Sequence, residues 1–426
     1  MRTIYNATIL VRKKSFPSLV DELYRRECEL MELQHIEETE GGRLYSLVIG
    51  APSAKRFNDL VTIIESAGDR FRVISVKNVI EERVVGGLIS VTGKIPMETA
   101  ADFEISLRAA EDLIVSRSAE KDGLAYTGIS RNVALVTGLN AAEEGGGERL
   151  VRAQARAERD ALIMARFAGL NGVPLNVCFD HPEDLVKVLK RLERSFAAIR
   201  IMRIDEASLM LYDLLHGEIS IPLVSEEHDD LPLLLLAIII RMMLKYRMKP
   251  EETTVGFAGI DCSAVRLTRV LHRIGLRRVL GADSTEKAML ALEDEGGLAT
   301  TTENIFTNAD ITVIVKEFFD TQEYRAIRPG QLVISLLEDE DAVAEIIADK
   351  GVRELVRRDP ARLAALVPGM VKGIIAAGIP SITDARLVEY AKKCASLLNT
   401  SFDFPALFGE IHDQICAIAM AGASKG

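Results

Sequence analysis

The chain has few cysteines, no long apolar run, no excess of positive charge and, at one telling turn, too few glycines. Its five cysteines (Cys28, Cys178, Cys262, Cys394, Cys416) are scattered without a C-x-x-C spacing. That argues against a disulfide framework and a zinc site, and for a reduced, cytoplasmic setting. The most apolar run, LPLLLLAIII at 231–240, is broken by Arg241 and is too short to span a bilayer, so it reads as a buried helix. The start, MRTIYNATILVRKKS, has no apolar signal core, and a soluble protein without membrane contact is expected. A net charge of −11 leaves no basic stripe to meet phosphates, which excludes a nucleic-acid scaffold. No repeat or low-complexity segment is present, and 48% hydrophobic with 27% charged residues is an ordinary globular balance.

The missing glycines concern residues 253–283. An apolar β-type run, Thr254–Ala258, leads through Gly259 into an amphipathic helical stretch. A second apolar run, Arg278–Ala282, ends on Asp283, about twenty residues past the turn, where a ribose-binding acid belongs in a dinucleotide fold. In the G-x-G-x-x-G turn the second glycine admits the pyrophosphate and the third lets helix pack on strand. Here those positions are Asp261 and Ala264, and Asp261 sets a carboxylate where phosphate charge would lie.

At 426 residues, about two or three domains are expected. Residues 1–80 alternate as strand 3–11, helix from Pro17, strands 28–36 and 44–49 around Gly41-Gly42, helix 53–67 and strand 71–79. That β-α-β-β-α-β order is the ferredoxin-like unit. Residues 81–230 read as a strand at 83–94, a helix at 100–119, strand 132–137, a glycine loop at 145–147, helix 149–168, strand 173–178, helix 182–196 and strand 199–204. Such alternation implies a parallel sheet covered on both faces. Residues 231–426 add the buried helix, the strand–turn–helix around Gly259, strands at 311–315 and 331–335, and a mainly helical end. The fold class is α/β, with a ferredoxin-like domain, an α/β domain and a Rossmann-type domain.

Two resemblances follow. Residues 1–80 resemble an ACT domain by element order and length; such modules pair through sheet and helices and often bind an amino acid, though Pro17 or Ser18 stands where they usually carry a glycine. Across 85–400 the chain resembles the malic enzyme family. YTGISRNVALVT at 126–137 is similar to the family's YTxKGNxVAVVTDG, and RFAGLNGVP at 166–174 to its KxFAGxDAFP. IPLV at 221–224 precedes a carboxylate pair as IPVFxDD does, VPGMVKG at 367–373 is similar to FPGxxRG, and ITD follows at 382–384. The family oxidatively decarboxylates malate with NAD or NADP and a divalent metal, using a lysine base and a tyrosine acid.

Carried over residue by residue, the resemblance puts the metal pair on Met202 and Arg203, and the third ligand on Glu227. The base position is Asp160 and the acid position Leu107. A thioether and a cation do not suit a hard divalent ion, and leucine transfers no proton. The family's cofactor asparagines fall on Leu336 or Leu337 and on the stretch 362–365. Of the dinucleotide fingerprint Gly259 and Asp283 remain.

Other clusters have plain readings beside functional ones. Asp205-Glu206 form a shifted metal pair or a solvated acidic turn. The acidic run 226–230, with His228, is a cation site or helix-dipole compensation. Residues 338–341 cap a helix, His216 is a turn histidine, and Cys262 is a lowered-pKa thiol or a filler. The expected function is a regulatory or ligand-sensing pseudoenzyme, a homodimer open to a metabolite or amino-acid effector. The alternative is an active NAD(P)-dependent malic-type oxidoreductase with an altered site or substrate. A third option places an anion in the old cleft on Arg203 and Arg166.

Overall fold

The structure, a computed structural model, describes residues 3–12, 15–117, 123–140, 146–202, 214–316, 320–337, 341–357, 360–397 and 406–421. The chain divides into two compact units, 1–90 and 91–426.

In the first unit, strands β1 (Thr3–Val11), β2 (Glu29–Thr39), β3 (Gly42–Ala51) and β4 (Phe71–Asn78) form one sheet in the order β2-β3-β1-β4. β1 runs antiparallel to both of its neighbours. Helices Phe16–Arg25 and Ala54–Ser66 supply Leu19, Leu23, Phe57, Leu60 and Ile64 to a core shared with Ala7, Ile9, Leu47 and Ile49 of the strands. β1 alternates because one of its faces packs on those helices, whereas β2 is exposed along most of its length. The β-α-β-β-α-β order expected from sequence is the order observed.

One expected strand is absent. The stretch 83–94 carries no strand: Asn78 accepts from the amides of Ile80 and Glu81 and starts the short helix Val79–Val84 instead. Gly86 and Gly87 then take φ of +90° and +95°, and Val91 is fully exposed. β-branched residues make a strand only beside a partner edge, and among the described residues this stretch pairs with none.

The second unit holds two parallel sheets. β5 (Asn132–Asn140), β6 (Asn171–Phe179), β7 (Ala198–Ile201) and β8 (Leu223–Ser225) lie in the order β6-β5-β7-β8, every pair parallel. The helix Gly146–Ile163 comes down on β6 so closely that a Cβ on Gly172 would stand 2.6 Å from Ala161 Cα. The glycine at 172 thus sets the seat of the helix that carries Asp160. That helix starts inside the expected glycine loop, at Gly146, and is followed by a wider π-helical turn, Met164–Ala168.

The other sheet has six strands in the order β11-β10-β9-β12-β13-β14: β9 (Thr254–Ala258), β10 (Arg278–Ala282), β11 (Leu298–Ala299), β12 (Ile311–Ile314), β13 (Leu332–Ser335) and β14 (Glu354–Arg357). All pairs are parallel, the doubly wound order with its crevice beyond the carboxyl ends of β9 and β12. β9 is buried along its whole length, as a strand covered on both faces must be. The apolar run at 231–240 opens the helix Leu231–Tyr246, in which eleven residues are buried. Among the described residues no helix is long and apolar enough to cross a membrane.

Candidate functional site

The turn after β9 is built around one carboxylate. Gly259 has a φ of +90°, and its amide donates to the Ala282 carbonyl at 2.9 Å, drawing β9 and β10 together at their carboxyl ends. This brings the Ile260 amide to Asp283, which accepts it on Oδ2 at 2.8 Å. Lys316, just past β12, donates its ammonium to the same oxygen at 2.7 Å. Oδ1 accepts the Thr285 amide and hydroxyl, each at 3.0 Å. The Asp283 side chain has no solvent exposure, and these four donors, with the Ser284 hydroxyl farther off at 3.5 Å from Oδ1, fill the roughly four acceptor positions of a carboxylate. Burial opposes its ionisation, yet Lys316 and the Ile260 and Thr285 amides outweigh that and hold its carboxyl below the usual range. Lys316 also fills the open side of Gly259, where a Cβ would lie 2.6 Å from its Cγ and 2.8 Å from its backbone nitrogen.

Asp261 follows as N-cap of the helix Cys262–Arg273. Its Oδ1 accepts the Ala264 amide at 3.0 Å and the Ser263 hydroxyl at 2.6 Å. The positive end of the helix is therefore met by an internal anion. Ala264, at the third glycine position, is fully buried, so its methyl is accommodated.

A second constellation sits at the carboxyl ends of β7 and β8. Arg200 of β7 is 3% exposed. Its Nη2 donates to Asp230 at 2.7 Å, and its Nη1 lies 3.1 Å from Asp160 and against the Met202 sulfur. Asp160 also accepts from Arg159 at 2.8 Å. Burial pushes the Asp230 carboxyl up to about 7; the attraction of Arg200 works against this, and nearby Asp229 and Glu226 add to it. Arg200 remains the charged member: burial lowers its pKa, but Asp230 and Asp160 more than reverse that.

Behind Asp230, the π-helical turn Glu226–Asp230 buries Glu227, His228 and Asp229. Arg266, from the Cys262–Arg273 helix, enters this turn at 2.6 Å from Asp229 and also binds the His228 and Ile382 carbonyls. Asp384 of the ITD motif receives Arg266 at 3.3 Å and Arg269 at 2.7 Å. Burial opposes its ionisation too, but Arg269 and Arg266 hold its carboxyl below the usual range.

No protein-family model matches the chain. It is 22% identical over 396 residues to NAD-dependent malic enzyme 1 of Bacillus subtilis (strain 168), covering 91% of this chain and 90% of that protein. The chain is a relative of the malic enzymes. Solved malic enzymes share its fold: that of Entamoeba histolytica at a TM-score of 0.68 and 14% identity, covering 81% of this chain and 80% of that one. The NAD-dependent malic enzyme of Thermotoga maritima aligns at 0.67 and 16%, covering 81% and 99%.

Within this malic-enzyme relative the expected site residues separate. Asp160, Met202 and Asp230 meet around Arg200, while Glu227 is buried in the adjacent turn. Leu107 is 55% exposed in the π-helical turn Ile105–Ala109. Arg166 is exposed in the Met164–Ala168 turn. Arg203, Asp205, Glu206 and residues 338–340 lie outside the described residues. Gly259 and Asp283 do come together, through Ile260 and Lys316. His216 meets the Ser381 hydroxyl at 3.0 Å. Reasoning from sequence missed Arg200, Arg266 and Lys316 as members of these clusters. The first had a signal: it places a guanidinium inside an otherwise apolar strand, where a charge must find a partner.

Proposed function

We propose that the chain is a non-catalytic malic-enzyme relative with a regulatory or ligand-sensing role, unable to decarboxylate malate oxidatively with NAD or NADP. The observation that carries this reading is the Asp160–Arg200–Asp230 cluster. A general base needs a free lone pair near the substrate, and Asp160 is engaged by two guanidiniums. A divalent ion needs hard oxygen ligands, and here Arg200 already sets a positive charge against Met202. The turn at Gly259 supports the same view. The Asp283 oxygens are taken, and the Asp261 carboxylate caps the helix that would face a pyrophosphate, so these residues do not fit a dinucleotide.

The second reading, an active NAD-dependent malic-type enzyme, is favoured by similarity running along 90% of a protein named NAD-dependent malic enzyme. The two part on one assay. Purified full-length chain with malate, NAD or NADP and Mn²⁺ is expected to give no rise in absorbance of the reduced cofactor, and calorimetry no saturable NAD(H) binding at micromolar concentration. A malate- and Mn²⁺-dependent rise sinks the proposal. The assembly proposed is a cytoplasmic homodimer in which residues 1–80 act as an ACT-like module for a metabolite or amino-acid effector.

A further inference from the structure

A cavity of about 420 Å³ opens where the Cys262–Arg273 helix faces the start of the Asp384–Leu397 helix and the buried turn at 226–230. Arg266, Arg269 and Arg273 line it from one side. Their spacing of three and four residues places them on one helix face. All three turn their Nε toward Asp384, at 3.3, 2.7 and 3.7 Å.

Exposure rises outward, from 6% at Arg266 through 42% at Arg269 to 57% at Arg273. The innermost guanidinium is bound to Asp229, Asp384 and two backbone carbonyls. Arg269 divides its donors between Asp384 and Glu295, the latter at 2.6 Å. Among the described residues Arg273 makes only the long approach to Asp384, so most of its five N–H donors face the cavity mouth. The Asp384–Leu397 helix adds the positive end of its dipole at the same place, and Arg386 donates its amide to the Thr383 hydroxyl there.

We infer that this cavity binds a small anionic metabolite through a phosphate or carboxylate group held by Arg273 and Arg269. Asp384 orients the two guanidiniums in advance, which lowers the ordering cost of binding. A planar guanidinium fork matches either oxyanion in bidentate fashion, and the volume suits a small molecule. The inference does not need the proposal above: a chain that oxidises malate would sink that reading and leave this one standing. The ligand would join three segments of the second unit and so raise its melting temperature.

The test titrates the full chain with inorganic phosphate and, separately, with malonate, read by calorimetry and by thermal unfolding. Saturable binding at one site per chain is expected for at least one probe. Phosphate alone, or malonate alone, identifies the oxyanion the site takes. Arg273→Glu should weaken that binding about tenfold or more, with Arg273→Lys between, as loss of a charge-assisted bond implies. Arg273 is more than half exposed, so both variants should fold, which circular dichroism checks. Lys287→Ala, at an exposed lysine outside the cavity, should bind as the parent does. Absence of saturable binding of both probes below about 10 mM, or undiminished binding by Arg273→Glu, overturns the inference.

Discussion

Asp283 and Asp230 are both buried aspartates beside a cation at the carboxyl end of a parallel sheet, yet their acidities are moved in opposite directions. Asp283 accepts two backbone amides, a hydroxyl and a half-exposed ammonium, and its charge is held by dipoles already in place. Asp230 has a stronger single partner in Arg200, but that partner is shared with Asp160, and further acids crowd the same turn. A carboxylate is thus stabilised less by one opposite charge than by several fixed donors that no other acid competes for.

The comparison is tested most severely by removing Arg200. Arg200→Ala leaves Asp160 with Arg159 alone and takes from Asp230 its buried cation, and should cost about 3–5 kcal/mol in urea unfolding, the usual penalty for breaking a buried ion pair. A loss under about 1 kcal/mol would mean the cluster is far better solvated than its burial implies.

The pH response comes next. Asp283 is depressed, so its contribution to stability is complete above the ordinary value of 3.8 and is lost as pH falls below it. Asp230 is raised, so the folded state keeps a proton that the unfolded chain has released. Its contribution is present below 3.8 and is lost as pH rises through about 7. Unfolding curves taken across this range should show Asp230→Asn flattening the decline toward neutrality, and Asp283→Asn flattening the acid limb. If both variants change the same limb, the contrast fails.

The smallest effect is expected at Lys316. It is 43% exposed and one of several donors to Asp283, so Lys316→Ala should cost about 0.5–1 kcal/mol. It also opens the side of Gly259. The variant should still show no saturable NAD(H) binding, because Asp261 keeps the helix end; NAD(H) binding gained by this one change would show that Lys316 alone closes the turn.

Much of the fold was legible in the sequence. Short apolar runs at 254–258, 278–282 and 311–314 are strands, and LPLLLLAIII opens a buried helix, because these segments state their burial locally. The segment 83–94 misled, since strand alternation has meaning only beside a partner edge and Gly86-Gly87 turn the chain instead. Of the candidate site, Asp261 as a carboxylate at the helix start was readable from its position next to the turn. That Asp283 would be enclosed by Lys316, thirty-three positions along the chain, was not.

The sequence by itself determined the α/β alternation, the strand–turn–helix at Gly259 and the residue types at 107, 160 and 202. Only the tertiary structure decided which of these side chains meet. Asp160 and Asp230 come from different elements and become one cluster because Arg200 on β7 reaches both. The physical reason is range: backbone preference and periodicity act over a few residues. Whether a charge is paired, buried or open to a ligand depends on groups that only packing brings within a few ångströms.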